Sequence, residues 1–298
     1  MPMNCRIPSR LRCDQACMGR LDSWLLAPST STAKKCRTIV TGGRKPACAH
    51  LYQDGSVAIE GPSHLIIDFC RVQNRLFDVR QIAATSSAFA ALRGDGAVET
   101  WGNPNQGGDS TAVQSQLQEV KSLAATDVAF AALRHDGTVV TWGDPYDGGD
   151  SRMVRNELKE VEQIAACSCA FAALLGSGRI VTWGDHFDDE GPIRELRHVR
   201  EIRGLQAHAA FAALLRDGTV VTWQEPELRP SAATQRLLRG VVKLESSGHG
   251  FVALRSDGVK VSWGDNLEDV HRPDRRRAVG DRVKISSERN RLKLQHGP

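Results

Sequence analysis

Long apolar runs are missing from this chain. No stretch approaches the ~18 apolar residues of a membrane helix, so no membrane span is expected. Near the start the longest such run is "WLLA" at 24–27, too short for the apolar stretch of a signal peptide, and no secretion signal is expected. The Arg-rich, acid-poor opening, residues 1–36, reads as a disordered extension, with an organelle transit peptide as the alternative. Cysteine is sparse: eight in 298 residues exclude a disulfide scaffold and point to reduced thiols in a cytoplasmic or nuclear protein. Catalytic signatures are absent too. "GGRK" at 42–45 lacks the spacing and strand-to-helix context of a phosphate-binding loop, and neither a nucleophile elbow nor a His-Glu-x-x-His occurs. Cys13 and Cys17 would share a helix face, with Cys36 and Cys48 to follow, but no paired C-x-x-C rhythm supports zinc. Cys167 and Cys169 alternate with core residues and read as small buried side chains, while His208 and His249 read as isolated turn histidines. No catalytic residue, cofactor, metal or small-molecule substrate is therefore predicted, and the chain is not expected to be an enzyme.

Charge is unevenly placed. The formal net charge is +4, but residues 1–48 hold 9 Lys+Arg against 2 acids and residues 271–298 hold 9 against 3. The ends are thus +7 and +6, and the middle is 4 − 13 = −9. An acidic body carries two basic ends. Phosphate affinity could come from "HRPDRRR" at 271–277, but the ends lack interleaved aromatics and the body is acidic, so nucleic acid is not the expected partner.

The chain repeats itself. Tryptophans at 101, 142, 183, 223 and 263 are spaced 41, 41, 40 and 40 apart, and a turn keeps time with them at Asp95-Gly96, Asp136-Gly137, Ser177-Gly178, Asp217-Gly218 and Asp257-Gly258. A worn copy lies upstream in "CAHLYQDGSVAIEG", with Glu60-Gly61 where the others have Trp-Gly. Downstream, "VKISSERNRLKL" at 283–294 follows "VKLESSGHGFVA" at 242–253 by 41 residues and resembles the first half of a seventh copy.

Each copy reads as three strands and a connector. In the unit ending at Trp142, "EVKSLAA" and "AFAALR" are the first two strands, and a tight turn through Asp136-Gly137 leads to "TVVTW". Asp-Gly between apolar runs is a strong hairpin signal, because Gly accepts the positive φ such turns need. The second and third strands are nearly continuous in small and apolar residues, as in a sheet covered on both faces. In the connector at 151–161, Val154, Leu158 and Val161 fall at helical spacing behind Ser151; a fourth outer strand is the competing reading. One such unit cannot bury both faces alone, so units must stack. The predicted fold is all-β: a β-propeller of about seven blades, six full repeats of 40–41 residues over 37–270 plus a partial one, with short helical connectors. A linear β-solenoid is the alternative.

"SLAATDVAFAALRHDGTVVTWGDPYDGG" resembles a repeat of the regulator of chromosome condensation type, and the likeness covers about 37–270. What the resemblance transfers is architectural: Trp101-Gly102, Trp142-Gly143, Trp183-Gly184, Trp223, Trp263-Gly264, and the turn glycines Gly96, Gly137, Gly178, Gly218 and Gly258. Members are commonly seven-bladed propellers. They include guanine-nucleotide exchange factors, substrate-recognition parts of HECT-type ubiquitin ligases and β-lactamase inhibitors. Departures are plain. Gln224 follows Trp223; the family's His four residues before the strand-two Leu is Ala88, Ala129, Ala170, Ala210 and Gly250; and Gly-Gln-Leu-Gly gives way to "GGD" at 107–109 and 148–150. Unit spacing never exceeds 41, which leaves no protruding insertion of the kind exchange factors use. A HECT domain would need several hundred further residues. The resemblance therefore implies a non-catalytic protein-interaction module, an adaptor in ubiquitin transfer or a regulator of small GTPases, with exchange activity as the alternative and a propeller hydrolase after that.

Acids form the one patterned polar feature. Asp109, Asp144, Asp147, Asp150, Asp185, Asp188, Asp189, Asp265, Glu268 and Asp269 follow the third strands, so a propeller would gather them at one end of its disc. They read either as turn formers and helix caps or as an acidic face for the basic segment of a protein partner. Calcium is not predicted, because Asp144, Asp147 and Asp150 lack the Asp-x-Asp-x-Asp-Gly spacing.

Overall fold

The structure is a computed structural model that describes residues 36–40, 47–185, 193, 195–224, 226–247, 249–264 and 267–271. The basic ends, 1–35 and 272–298, lie outside the described residues, and with them the expected disordered extension and the partial repeat at 283–294.

Six small antiparallel sheets follow one another along the described residues. Unit 1 comprises β1 (Cys36–Val40), β2 (Cys48–Tyr52) and β3 (Val57–Glu60), followed by the helix α1 (Ser63–Val72). Unit 2 is β4 (Val79–Ala84), β5 (Ala88–Arg93) and β6 (Val98–Gly102). Unit 3 is β7 (Val120–Ala125), β8 (Ala129–Arg134) and β9 (Val139–Gly143). Unit 4 is β10 (Val161–Ala166), β11 (Ala170–Leu175) and β12 (Ile180–Gly184). Unit 5 is β13 (Val199–Leu205), β14 (Ala210–Leu215) and β15 (Val220–Gln224), followed by α2 (Ala232–Leu237). Unit 6 is β16 (Val241–Ser247), β17 (Gly250–Arg255), β18 (Lys260–Gly264) and a fourth strand, β19 (Leu267–His271).

Connectors vary more than strands. The expected helix at 151–161 is a run of turns. Its reason is local: Ser151 spends its hydroxyl on Thr141 at 3.1 Å instead of capping a helix, and the N–H of Val154 closes back on the Ser151 carbonyl. Helical connectors do occur elsewhere, at α1 and at α2, where the Ser231 hydroxyl accepts the N–H of Thr234. The competing fourth strand does not form at 151–161 either; a fourth strand occurs instead in unit 6, where β19 pairs with β18.

The Asp-Gly turns do two jobs. Asp136 accepts the Thr138 N–H at 2.9 Å and so holds the turn from within. Gly137 then sits at φ 78°, and its carbonyl accepts the Val161 N–H of the next unit at 3.0 Å. Gly55, Gly96, Gly178 and Gly218 make the same link to the units that follow them. A Cβ on Gly96 would stand 3.0 Å from the Glu119 Cα, so Gly is required by both dihedral and space.

Packing between units follows one rule. Phe130 and Trp142 of unit 3 are buried against Ala88, Ala90, Leu92 and Val98 of unit 2. Phe171 and Trp183 pack likewise on Ala129, Ala131 and Leu133, and Phe251 and Trp263 on Ala210, Ala212 and Leu214. Each aromatic pair is a cross-strand neighbour in its own sheet and stacks at 5.2–5.3 Å in units 2 to 5. The alanines opposite let the rings lie flat against the neighbouring sheet. First strands line a shared interior: a cavity of about 480 Å³ is bounded by Ala125 of unit 3, Gln163 of unit 4, Arg203 of unit 5 and Ser247 of unit 6. The Gln206 side chain of unit 5 reaches the Ala125 carbonyl of unit 3 at 3.0 Å. Four successive units surrounding one space are arranged radially, which a linear solenoid cannot do. The fold is a β-propeller.

Candidate functional site

First and third strands point the same way, so the loops that leave them share one end of each sheet. Asn103 N–H donates to the Ser87 carbonyl, Asp144 N–H to Val128 and Asp185 N–H to Cys169, tying each outer loop to the inner loop of its unit. Inner loops are joined in turn around the axis: Ser86 N–H donates to Asp127, Asp127 to Ser168 and Ser168 to His208, at 2.7, 2.8 and 3.3 Å. This end is a continuous hydrogen-bonded surface.

The Gly-Gly-Asp motif builds its outer part. Gly107 (φ 89°) and Gly148 (φ 97°) lie against the Phe130 and Phe171 rings of the following unit. Their carbonyls accept the indole N–H groups of Trp142 and Trp183, each at 3.0 Å. The outgoing loops of units 1, 4 and 5 lack the motif, and the indole nitrogens of Trp101, Trp223 and Trp263 have no hydrogen-bond partner. In the sequence, "GGD" stood out only as a departure from the family; the structure gives it a packing role.

The acids fall into four groups. Asp109, Asp144 and Asp150 hold turns: Asp109 accepts the Thr111 N–H and hydroxyl at 2.9 and 2.5 Å, Asp144 the Tyr146 N–H at 2.9 Å, and Asp150 the Arg152 N–H at 3.0 Å together with its guanidinium. The Arg152 guanidinium holds the Asp150 carboxyl below the usual range, and the Thr111 hydroxyl does the same for Asp109. Asp147 and Asp185 are half-buried on the same loops, and the Asp147 carbonyl accepts the Thr126 hydroxyl. Asp188, Asp189 and Asp265 lie outside the described residues. Glu268 and Asp269 are not in a loop: they stand in β19 opposite Trp263 and Ser262, because the chain turns back at once after Gly264 to add a strand. The structure thus places Asp109, Asp144, Asp147, Asp150 and Asp185 at one end of the sheets. Asp127 joins them from an inner loop, and desolvation raises its carboxyl.

The histidines stay apart: His208 lends its carbonyl to Ser168, and His249 is exposed in the turn before β17. Cysteine chemistry differs from expectation at Cys70 of α1, which is disulfide-bonded, whereas Cys48, Cys167 and Cys169 are outside any disulfide. No helix among the described residues is long and apolar enough to cross a membrane.

No family model matches the chain, and no curated protein does. Solved structures match its fold. The ectodomain of the Physcomitrella patens receptor kinase CR4 superposes with a TM-score of 0.51 at 17% identity, over 76% of this chain and 62% of that one, so this chain spans less than two thirds of that protein's length. Human WBSCR16 gives a TM-score of 0.51 at 17% identity over 80% and 78%. Prp20p from Saccharomyces cerevisiae gives 0.48 at 17% over 73% and 69%. Likeness at this level concerns the propeller fold.

Proposed function

We propose that this chain is a propeller of the regulator of chromosome condensation type that serves as a protein-interaction module, and that the end bearing the outer loops receives a basic segment of its partner. One observation supports this above the others: Asp109 and Asp150 are held by turns at matching places in successive loops, and Asp144 by a second turn in the loop of Asp150, so their charges are presented at fixed positions without ordering long side chains on binding. The strand interiors beneath are filled by alanine and aromatic side chains, which suits a scaffold for a surface. Adaptor work in ubiquitin transfer and regulation of a small GTPase are the roles that the repeat resemblance adds.

The test must separate charge from turn. Asp109→Asn, Asp144→Asn and Asp150→Asn keep a side-chain oxygen for the turn N–H and remove the charge. Titrated with an oligoarginine peptide at low salt, the triple variant should bind roughly five- to tenfold more weakly than the parent, and the difference should vanish by about 0.5 M salt. Equal affinity for both proteins at low salt would leave these acids as turn formers alone.

A further inference from the structure

Cys167 and Cys169 occupy the inner loop of unit 4, where unit 2 has Thr85 and Ser87 and unit 3 has Thr126 and Val128. In those units the threonine pins the loop. The Thr126 N–H donates to the Ala129 carbonyl at 2.9 Å, its hydroxyl accepts the Ala129 N–H at 2.9 Å, and the same hydroxyl donates to the Asp147 carbonyl at 3.2 Å. Cys167 keeps the backbone part, donating its N–H to Ala170 at 2.9 Å, but puts a thiol where the hydroxyl would be. That thiol is fully buried, and Cys169 follows it by two residues in the same short loop. Cys169 is half-exposed, with its Sγ 4.0 Å from the Asp185 carbonyl. Two free thiols therefore share the three-residue loop 167–169 at the acidic end, one partly exposed and one fully buried.

We propose that Cys167 and Cys169 form an oxidisable dithiol that a hydroperoxide converts to an intramolecular disulfide. The exposed Cys169 thiolate attacks the peroxide's terminal oxygen, the O–O bond breaks, and a sulfenic acid and one water (or alcohol) are produced. The Cys167 thiol then attacks the Cys169 sulfur, the S–O bond breaks, and a second water leaves as the S–S bond closes. Two electrons pass from the two thiols to the peroxide. The roles follow from the surroundings. The Cys167 thiol and Ser168 draw the Cys169 thiol down, against desolvation and the carboxylates of Asp147 and Asp185, which favours its thiolate. The adjacent Cys169 and burial push Cys167 up, so it waits as the resolving thiol. The placement also makes oxidation felt where the outer loops gather, since the Cys169 carbonyl accepts the Asp185 N–H.

Trypsin isolates the site, because the peptide 160–179 lies between Lys159 and Arg179 and contains these two cysteines and no others. The reduced full chain is exposed to hydrogen peroxide at pH 7, blocked with an alkylating reagent and digested. The peptide is expected to lose two hydrogens and to take up no label. Cys167→Thr, which installs the residue native to units 2 and 3, should stop at a sulfenic acid on Cys169 that dimedone traps. Cys169→Ser should slow the reaction of the remaining thiol by at least about tenfold, as its thiolate fraction falls. A peptide that stays fully alkylated after peroxide, or that goes directly to sulfinic acid in the parent protein, overturns the proposal. So does equal reactivity in Cys169→Ser.

Discussion

Unit 1 and the units that follow it share a backbone and differ in what they bury. In unit 3, Phe130 and Trp142 are cross-strand neighbours stacked at 5.3 Å. The same two places in unit 1 hold Cys48 and Glu60, again directly paired, with His50 Nε2 3.9 Å from the Glu60 carboxylate. The stack in each later unit lies against the sheet before it, and unit 1 has no described sheet before it. Its other face, carrying Ala47, Ala49, Leu51 and Val57, keeps the apolar pattern because it packs on unit 2. Unit 6 shows the converse. Its Phe251–Trp263 face is buried on unit 5, whereas on the far face Val252 and Leu254 are only half-buried and the exposed Lys260 replaces the Val or Ile of the other units. The repeat is a rule about interfaces, and it lapses where the described interfaces end.

The largest expected effect breaks the comparison at the stack. Trp142→Ala removes a buried ring and the hydrogen bond to Gly107, and should cost about 3–5 kcal/mol. Glu60→Ala, the matching change in unit 1, should cost under about 1 kcal/mol, since a partly exposed pair contributes little. Urea denaturation of both variants checks this. Similar losses would show that unit 1 depends on its own pair as heavily as the others depend on theirs.

Next comes the outer loop. Gly148→Ala puts a methyl 2.6 Å from the Phe171 ring on a residue whose φ is 97°, and should cost about 2 kcal/mol or more. Gly240→Ala, at φ 64° with its nearest neighbour 3.5 Å away, carries the backbone strain without the collision and should cost about half as much. Thermal unfolding of the two variants separates dihedral from space, and equal shifts would remove the Phe171 contact from the account.

A smaller effect concerns the last face. The face of Val252 and Leu254 is only half-buried, and residues 283–294 continue the repeat in register in the sequence. A chain ended after His271 should then lose about 1–2 kcal/mol and unfold earlier in urea. Unchanged stability would leave that face to another occupant.

Much of this architecture was readable because it repeats. Tryptophan spacing located the third strands, and the Asp-Gly pairs located the hairpins, because a turn at positive φ leaves a chemical mark. Features without such a mark went unseen. Each first strand from unit 2 onward carries a register irregularity at its second residue, and the residues there, Arg80, Lys121, Glu162, Arg200 and Val242, are exposed and include no Gly, Pro, Asn or Asp to mark it. Gln81 bridges to the N–H and carbonyl of Leu123, and Gln163 does so to Ile202, pinning adjacent first strands through a side chain. The paired "VRQIAA" and "VEQIAA" held that signal, but a polar residue in a strand does not say which neighbour it meets. Among the acids, loop membership was legible for Asp109, Asp144, Asp147, Asp150 and Asp185; the tight return that puts Glu268 and Asp269 into β19 was not.

The smallest expected effect separates the two ends of the sheets by the sign of their pH response. At the hairpin end, hydrogen bonds from the Thr138 hydroxyl and N–H lower the Asp136 carboxyl. A folded-state pKa below the unfolded value means stability that is present above about pH 4 and lost as pH falls through the folded value. At the loop end, desolvation raises the Asp127 carboxyl, so the opposite sign applies: its contribution is present below about pH 4 and lost as pH rises through the folded value. Asn at either place cannot titrate. Asp136→Asn should therefore destabilise the protein at neutral pH and approach the parent as the solution is acidified, while Asp127→Asn should be the more stable protein at neutral pH and lose that advantage in acid. Denaturation midpoints of the three proteins from pH 7 down to about pH 3 decide between the ends. Parallel curves would mean that neither carboxylate feels its surroundings, and that the turn oxygen of Asp136 matters while its charge does not.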